Sequence, residues 1–230
     1  MNCKRRSYSF SIGCMIRRRG IALASALMAA IAGNASASVV LTNFGPGLSY
    51  DTTQGNPVGN DFAGDNAAQA DPFVLTGDAI FQSLSVPLSC VGRCPGSENF
   101  IISLAANRGG LPGAVIESFT FTGVTLGALG NNNAPITATS VLTPLLLGGT
   151  EYWITLASSP TYAIAWNLNS TGDASLQATS TNGGATWFSP SGMTPSALQV
   201  NGIIPEPSSG LLFGGGLMGL LLLRRSKRTQ

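Results

Sequence analysis

Apolar and polar positions alternate along most of the middle of this chain. Across 79–88, Ile80, Leu84 and Val86 are spaced by Ser83 and Ser85. A period of two is the mark of a strand with one face against a core. The same reading predicts strands over 100–104, 115–121, 136–141, 151–156 and 162–166, with shorter ones at 39–43, 73–76, 174–179, 186–189 and 197–203. Within 115–121, Val115, Glu117 and Phe119 are expected on one face and Ile116 on the other. Tyr152 and Trp153 are adjacent, so one is expected in the core and one outward. Turn clusters separate the runs: 109–113 (Gly-Gly-Leu-Pro-Gly), 130–133 (Gly-Asn-Asn-Asn), 148–149, 169–173 and 182–184. No sustained 3.6-residue period occurs between the two ends. Many short strands joined by Gly and Asn turns predict an all-β body, an antiparallel β-sandwich with jelly-roll-like winding.

The two ends break this pattern. Near the N-terminus a basic stretch through Arg19 precedes an apolar run, 21–32, interrupted only by Ser25, and then Ala35-Ser36-Ala37. Basic, apolar, then small-x-small is the order of a secretory signal helix with its cleavage site, here after Ala37. The run is about a dozen residues, short of the roughly 20 that a spanning helix needs. Either Met1 or Met15 can be the start. Arg18-Arg19 fits a twin-arginine signal less well than general export. Near the C-terminus, Pro205-Glu206-Pro207 precedes fourteen uncharged residues, 210–223, and a basic end with Arg224, Arg225, Lys227 and Arg228. Fourteen residues make a helix of about 21 Å. That is a short transmembrane helix in a bilayer core of about 30 Å, crossing only with help from flanking residues. The basic end would hold it on the cytoplasmic side. The expected organisation is a signal peptide at 1–37, a sandwich at 38–203 and a sorting segment at 204–230.

Charge follows the same division. The net +2 of the 230 residues hides a body, 38–204, with two basic side chains, Arg93 and Arg108, against nine acidic ones, a net of −7. Such a body cannot neutralise a phosphate backbone, so nucleic acid is excluded as a partner. The chain has no His. That removes the usual general base and the commonest zinc ligand.

The tripartite end, Pro205-Glu206-Pro207 with a short Gly/Leu-rich stretch and an Arg-rich terminus, resembles the PEP-CTERM sorting signal of Gram-negative bacteria. The resemblance covers 204–228. It implies recognition by an exosortase after signal peptidase has acted, transient anchoring in the inner membrane, removal of the tail, and delivery to the cell surface or a biofilm matrix. Two prolines around one glutamate hold that segment extended, a form a membrane-embedded enzyme can grip. A second likeness lies in the body. The run 107–116 (Asn-Arg-Gly-Gly-Leu-Pro-Gly-Ala-Val-Ile) and the later 147–154 (Leu-Gly-Gly-Thr-Glu-Tyr-Trp-Ile) are similar to two hallmarks of choice-of-anchor β-sandwich domains, the first with a tight turn expected at Pro112-Gly113. That likeness implies a surface sandwich and supplies no activity.

Candidate chemistry is sparse. Cys90 and Cys94 flank three residues. In an oxidising compartment the pair reads as a disulfide clipping a loop. Two thiolates alone cannot complete a zinc site, and the redox motif has two intervening residues. Asp61, Asp65, Asp71 and Asp78 can offer oxygen ligands to a structural calcium ion, or are solvated loop acids. Glu98, Glu117 and Glu151 are the candidates for paired-carboxylate glycoside hydrolysis. Serine catalysis lacks a base and a Gly-x-Ser-x-Gly elbow. Trp153, Trp166 and Trp187 are the available platforms for carbohydrate binding, with an exopolysaccharide as the ligand, and core packing is the other role open to them. The reading is therefore a noncatalytic exported protein without a catalytic cofactor, with a carbohydrate-binding module as the alternative.

Overall fold

The computed structural model describes residues 36–60, 64–92 and 94–205. The sorting segment beyond Pro205, the signal segment through Ala35, and Asp61 lie outside them. Among the described residues the chain forms thirteen strands and a single 3-10 turn, Pro46–Leu48. The strands are β1 (Ser38–Thr42), β2 (Gly55–Asn60), β3 (Asn66–Val74), β4 (Ala79–Val86), β5 (Leu88–Cys90), β6 (Glu98–Asn107), β7 (Pro112–Val124), β8 (Ile136–Thr139), β9 (Leu145–Leu146), β10 (Glu151–Ser158), β11 (Ala163–Asn167), β12 (Ala178–Ser180) and β13 (Gln199–Ile203). No helix among the described residues is long and apolar enough to cross a membrane.

Two antiparallel sheets result. One has five strands in the order β1-β13-β4-β8, with β9 also on β4. The other has eight, β5-β11-β2-β3-β10-β6-β7, with β12 on β3. Their facing residues make one core. Phe81, Leu84, Val86 and Val200 come from the first sheet, and Phe100, Ile102, Ile154, Leu156, Ile164 and Trp166 from the second. Phe81 of β4 meets Phe119 of β7 across the sandwich, with ring centroids 6.3 Å apart. Burial of each such side chain is worth about 1.5–3 kcal/mol.

Several expectations need correction. β2 (Gly-Asn-Pro-Val-Gly-Asn) has turn composition, yet it lies between β11 and β3. Its glycines are there for close approach: Gly59 has φ 82°, and a Cβ on it would strike the Tyr162 carbonyl. β2 pairs with β3 only at Gly59 and Asn60; farther back, Gln69 Nε2 of β3 donates to the Pro57 carbonyl at 2.8 Å. The β6–β7 turn sits at Gly109-Gly110, both at positive φ, with Arg108 N–H donating to Leu111 O at 2.8 Å. Pro112 therefore opens β7 rather than forming the turn. A bulge follows, because Leu104 faces Glu117 while Ala105 faces Val115. Ile116 is the extra residue and packs on the core, whereas Val115 is exposed. Val115 thus leaves the face it was expected to share with Glu117 and Phe119. Residues 186–189 form no strand; Phe188 makes one bridge to Thr179.

Candidate functional site

The first and last strands of the described body lie side by side. Ser36 and Ala37 are exposed, and Ser38 opens β1. β1 pairs with β13, the last strand of the body, so that Ser38 lies opposite Gly202. β13 ends at Ile203, and Ile204 and Pro205 emerge exposed from it. The point where the mature chain would begin and the point where the sorting segment leaves are therefore neighbours at one end of one sheet. Ala35, Glu206, Pro207, Arg224, Arg225, Lys227 and Arg228 lie outside the described residues.

Cys90 and Cys94 form a disulfide, with Cα atoms 5.8 Å apart. It fixes the chain just after β5. Cys90 N–H there also donates to Gly127 O at 2.8 Å.

The tryptophans divide. Trp166 is 0% exposed and donates Nε1–H to the Ala197 carbonyl at 2.9 Å. Trp153 is 1% exposed, packed with Ala70, Ala105 and Ala178, and its Nε1–H reaches Asn107 Oδ1 at 3.3 Å. Neither presents a ring to solvent, so neither is a platform for a sugar. Trp153 was expected outward if Tyr152 faced the core. Tyr152 does face it, but Leu111 and Trp187 cover the other face as well. Trp187 alone of the three retains partial exposure, beside exposed Phe188.

The carboxylates are structural in their contacts. Glu98 is fully buried at the start of β6 and accepts from the Gly96 and Leu126 amides at 2.9 and 3.1 Å. Glu117, on β7 at the edge of the second sheet, reaches across to the chain after β8. It accepts from Ser140 Oγ at 2.6 Å, Val141 N–H at 2.7 Å and Leu142 N–H at 3.1 Å. Burial pushes its carboxyl up, but those hydrogen bonds outweigh burial and hold it below the usual carboxylate range. Glu151 is half-buried at a shallow cleft of about 290 Å³ that it shares with Trp153, Ser175 and Leu176. The structure does not bring these three glutamates together as an acid and base pair.

The described candidate aspartates, Asp65, Asp71 and Asp78, likewise do not gather at one place. Asp65 and Asp78 are exposed, and Asp78 accepts from Gly148 N–H at 2.9 Å. Asp71 is 1% exposed on β3, its side chain on the inner face between the sheets. Its Oδ2 accepts from Ser196 N–H at 2.9 Å, and no donor reaches its Oδ1. Burial, reinforced by the charge of Asp173, pushes it up to about 8 against the hydrogen bonds from Ser196. Gln69, Gln177, Asn56 and Ser196 surround it as a buried polar layer: Gln177 Nε2 donates to Gln69 Oε1 at 3.0 Å and Asn56 Nδ2 to Ser196 Oγ at 2.9 Å. Among the described residues no three Asp, Glu, Cys or His side chains gather as metal ligands. A calcium ion wants six to eight oxygens, and Asp61, the fourth candidate, lies outside the described residues. Sequence patterning missed this layer, because the polar residues lie at core-facing positions of strands whose apolar signal is weak.

Residues 204–228 match the family model of the PEP-CTERM protein-sorting motif. The match covers the Pro-Glu-Pro segment, the uncharged run and the basic end, and marks the chain as an exosortase-sorted exported protein with a cell-surface or extracellular destination. No curated protein matches the chain.

Proposed function

We propose that this protein is a noncatalytic component of the cell surface or extracellular matrix of a Gram-negative bacterium. Signal peptidase cleaves after Ala37. The tail then anchors the chain transiently in the inner membrane through residues 210–223, with Arg224, Arg225, Lys227 and Arg228 on the cytoplasmic side. Exosortase recognises Pro205, Glu206 and Pro207 and removes the tail. The cargo is the sandwich, a jelly-roll-like body whose chain crosses repeatedly between its sheets, of the kind the choice-of-anchor resemblance implies.

The observation that carries this reading is the sorting motif at 204–228, directly after the last strand. Its test is replacement of Pro205, Glu206 and Pro207 by alanine in the producing bacterium, followed by fractionation. The variant is expected in the inner membrane and the parent at the surface. Equal surface delivery of both would refute the reading. The alternative, exopolysaccharide binding, now rests on Trp187 with Phe188. It would require saturable quenching by polysaccharide that Trp187→Ala removes.

A further inference from the structure

The edge of the five-stranded sheet carries an uncovered apolar segment. Val141, Leu142, Leu145 and Leu147 are 87, 63, 54 and 49% exposed. They sit in a stretch, 118–150, that contains no charged residue. Isolated exposed apolar side chains are ordinary, but a contiguous group is not.

The backbone N–H groups at 140–143 and 147–150 are taken within the protein. Ser140 N–H donates to Gln82 O, Thr143 N–H to Ser140 Oγ, Gly149 N–H to Leu75 O and Thr150 N–H to Leu147 O. Leu147 N–H donates to Tyr152 Oη and Gly148 N–H to Asp78 Oδ1, each at 2.9 Å. Val141 and Leu142 N–H both go to buried Glu117. A loop in water needs no such provision, because water solvates its amides. A loop laid against hydrocarbon does need it, since each unpaired amide there costs several kcal/mol.

The position of the segment says what it faces. Leu145 pairs with Ile80 of β4, and Ile80 pairs on its other side with Ile203 of β13. Leu145, Ile80 and Ile203 thus form one row, and Ile204, 56% exposed, follows Ile203. The chain leaves the body at this end. Six residues on, at Gly210, the uncharged run of the tail begins, a reach of at most about 20 Å.

We infer that residues 141–147 are a lipid-contacting edge that seats the sandwich on the bilayer surface while the tail is still anchored. This rests on the anchoring reading above. The fitting partner is an uncharged phospholipid surface, because the loop brings no basic residue and the body is acidic.

The test uses the full chain in nanodiscs of phosphatidylcholine with brominated acyl chains, which quench tryptophan only on contact. In Leu142→Trp and, separately, Leu145→Trp, the added emission is expected to be lost in these discs and kept in unbrominated ones. Asn132→Trp, in an exposed turn at the other end of β4, should keep its emission in both. Chains that stay in the disc with residues 142 and 145 unquenched would overturn the seating and leave the anchor standing. Chains that elute apart from the disc would overturn the anchor and the seating together. A spectral change at 142 that depends on protein concentration and not on lipid would overturn it in favour of self-association.

Discussion

Gln177 and Asp71 belong to one buried polar layer, and each holds a buried oxygen that no donor reaches. Ala178 of β12 pairs with Ala70 of β3, so Gln177 and Asp71 are the chain neighbours of a paired position, and both lie beside Gln69, to which Gln177 Nε2 donates at 3.0 Å. The orphaned atoms are Gln177 Oε1 and Asp71 Oδ1. Two unpaired buried acceptors would each cost about 1–3 kcal/mol. A proton on Asp71 turns one acceptor into a donor, which accords with its carboxyl being pushed up to about 8 by burial.

This makes stability depend on pH in a defined direction. Unfolded, Asp71 loses its proton near the ordinary aspartate value of 3.8; folded, it holds it to about 8. Between these limits the folded state binds more protons, so stability falls as pH rises, and the contribution is fully present only below pH 4. Asp71→Asn removes that titration. The difference in urea midpoint between parent and variant is expected to shift in favour of the variant from pH 5 to pH 9. A constant difference across that range would show that Asp71 is ionised in the folded protein.

Glu117 behaves in the opposite sense. Its folded carboxyl is held below the usual range. Its contribution is therefore present above the ordinary glutamate value and lost as pH falls through the folded one. Glu117→Gln leaves one carbonyl for three donors and turns an amide donor toward them. The expected cost is about 1–3 kcal/mol at pH 7, read as a lower urea midpoint. Amide exchange at Val141 and Leu142 should accelerate more than exchange at Ile154, which is buried in the middle of β10. Unchanged exchange at Val141 and Leu142 would contradict the clamp.

The Cys90–Cys94 disulfide closes a loop of separation four. So small a loop gives about 2 kcal/mol or less of entropic stabilisation. The double variant Cys90→Ser, Cys94→Ser should fold to the same near-ultraviolet circular dichroism, with a midpoint lowered by no more than that amount. Failure to fold would assign the disulfide a larger part than its loop length allows.

What the sequence made legible were the strands whose own composition carries the signal. β10 and β11 read clearly because apolar and β-branched residues outnumber turn formers in them. β2 did not, since Gly55, Pro57 and Gly59 look like a turn; neighbours on both sides make it a strand. Alternation also predicts only two faces, inner and outer. It could not foresee that Leu111 and Trp187 close over Trp153, because that cover comes from segments distant in sequence. Asp71 was invisible as a core residue for the same reason: a carboxylate reads as surface until tertiary structure buries it. At the termini, by contrast, the order of charge, apolar run and short motif is local, and the sorting motif was legible in full.

In the function proposed above, the chain is trimmed at both ends on its way to the surface. Its most direct test is the intact mass of the protein recovered from the surface fraction of the producing bacterium. The expected species begins at Ser38 and ends near Pro207. A surface species that still carries Gln230 would contradict it.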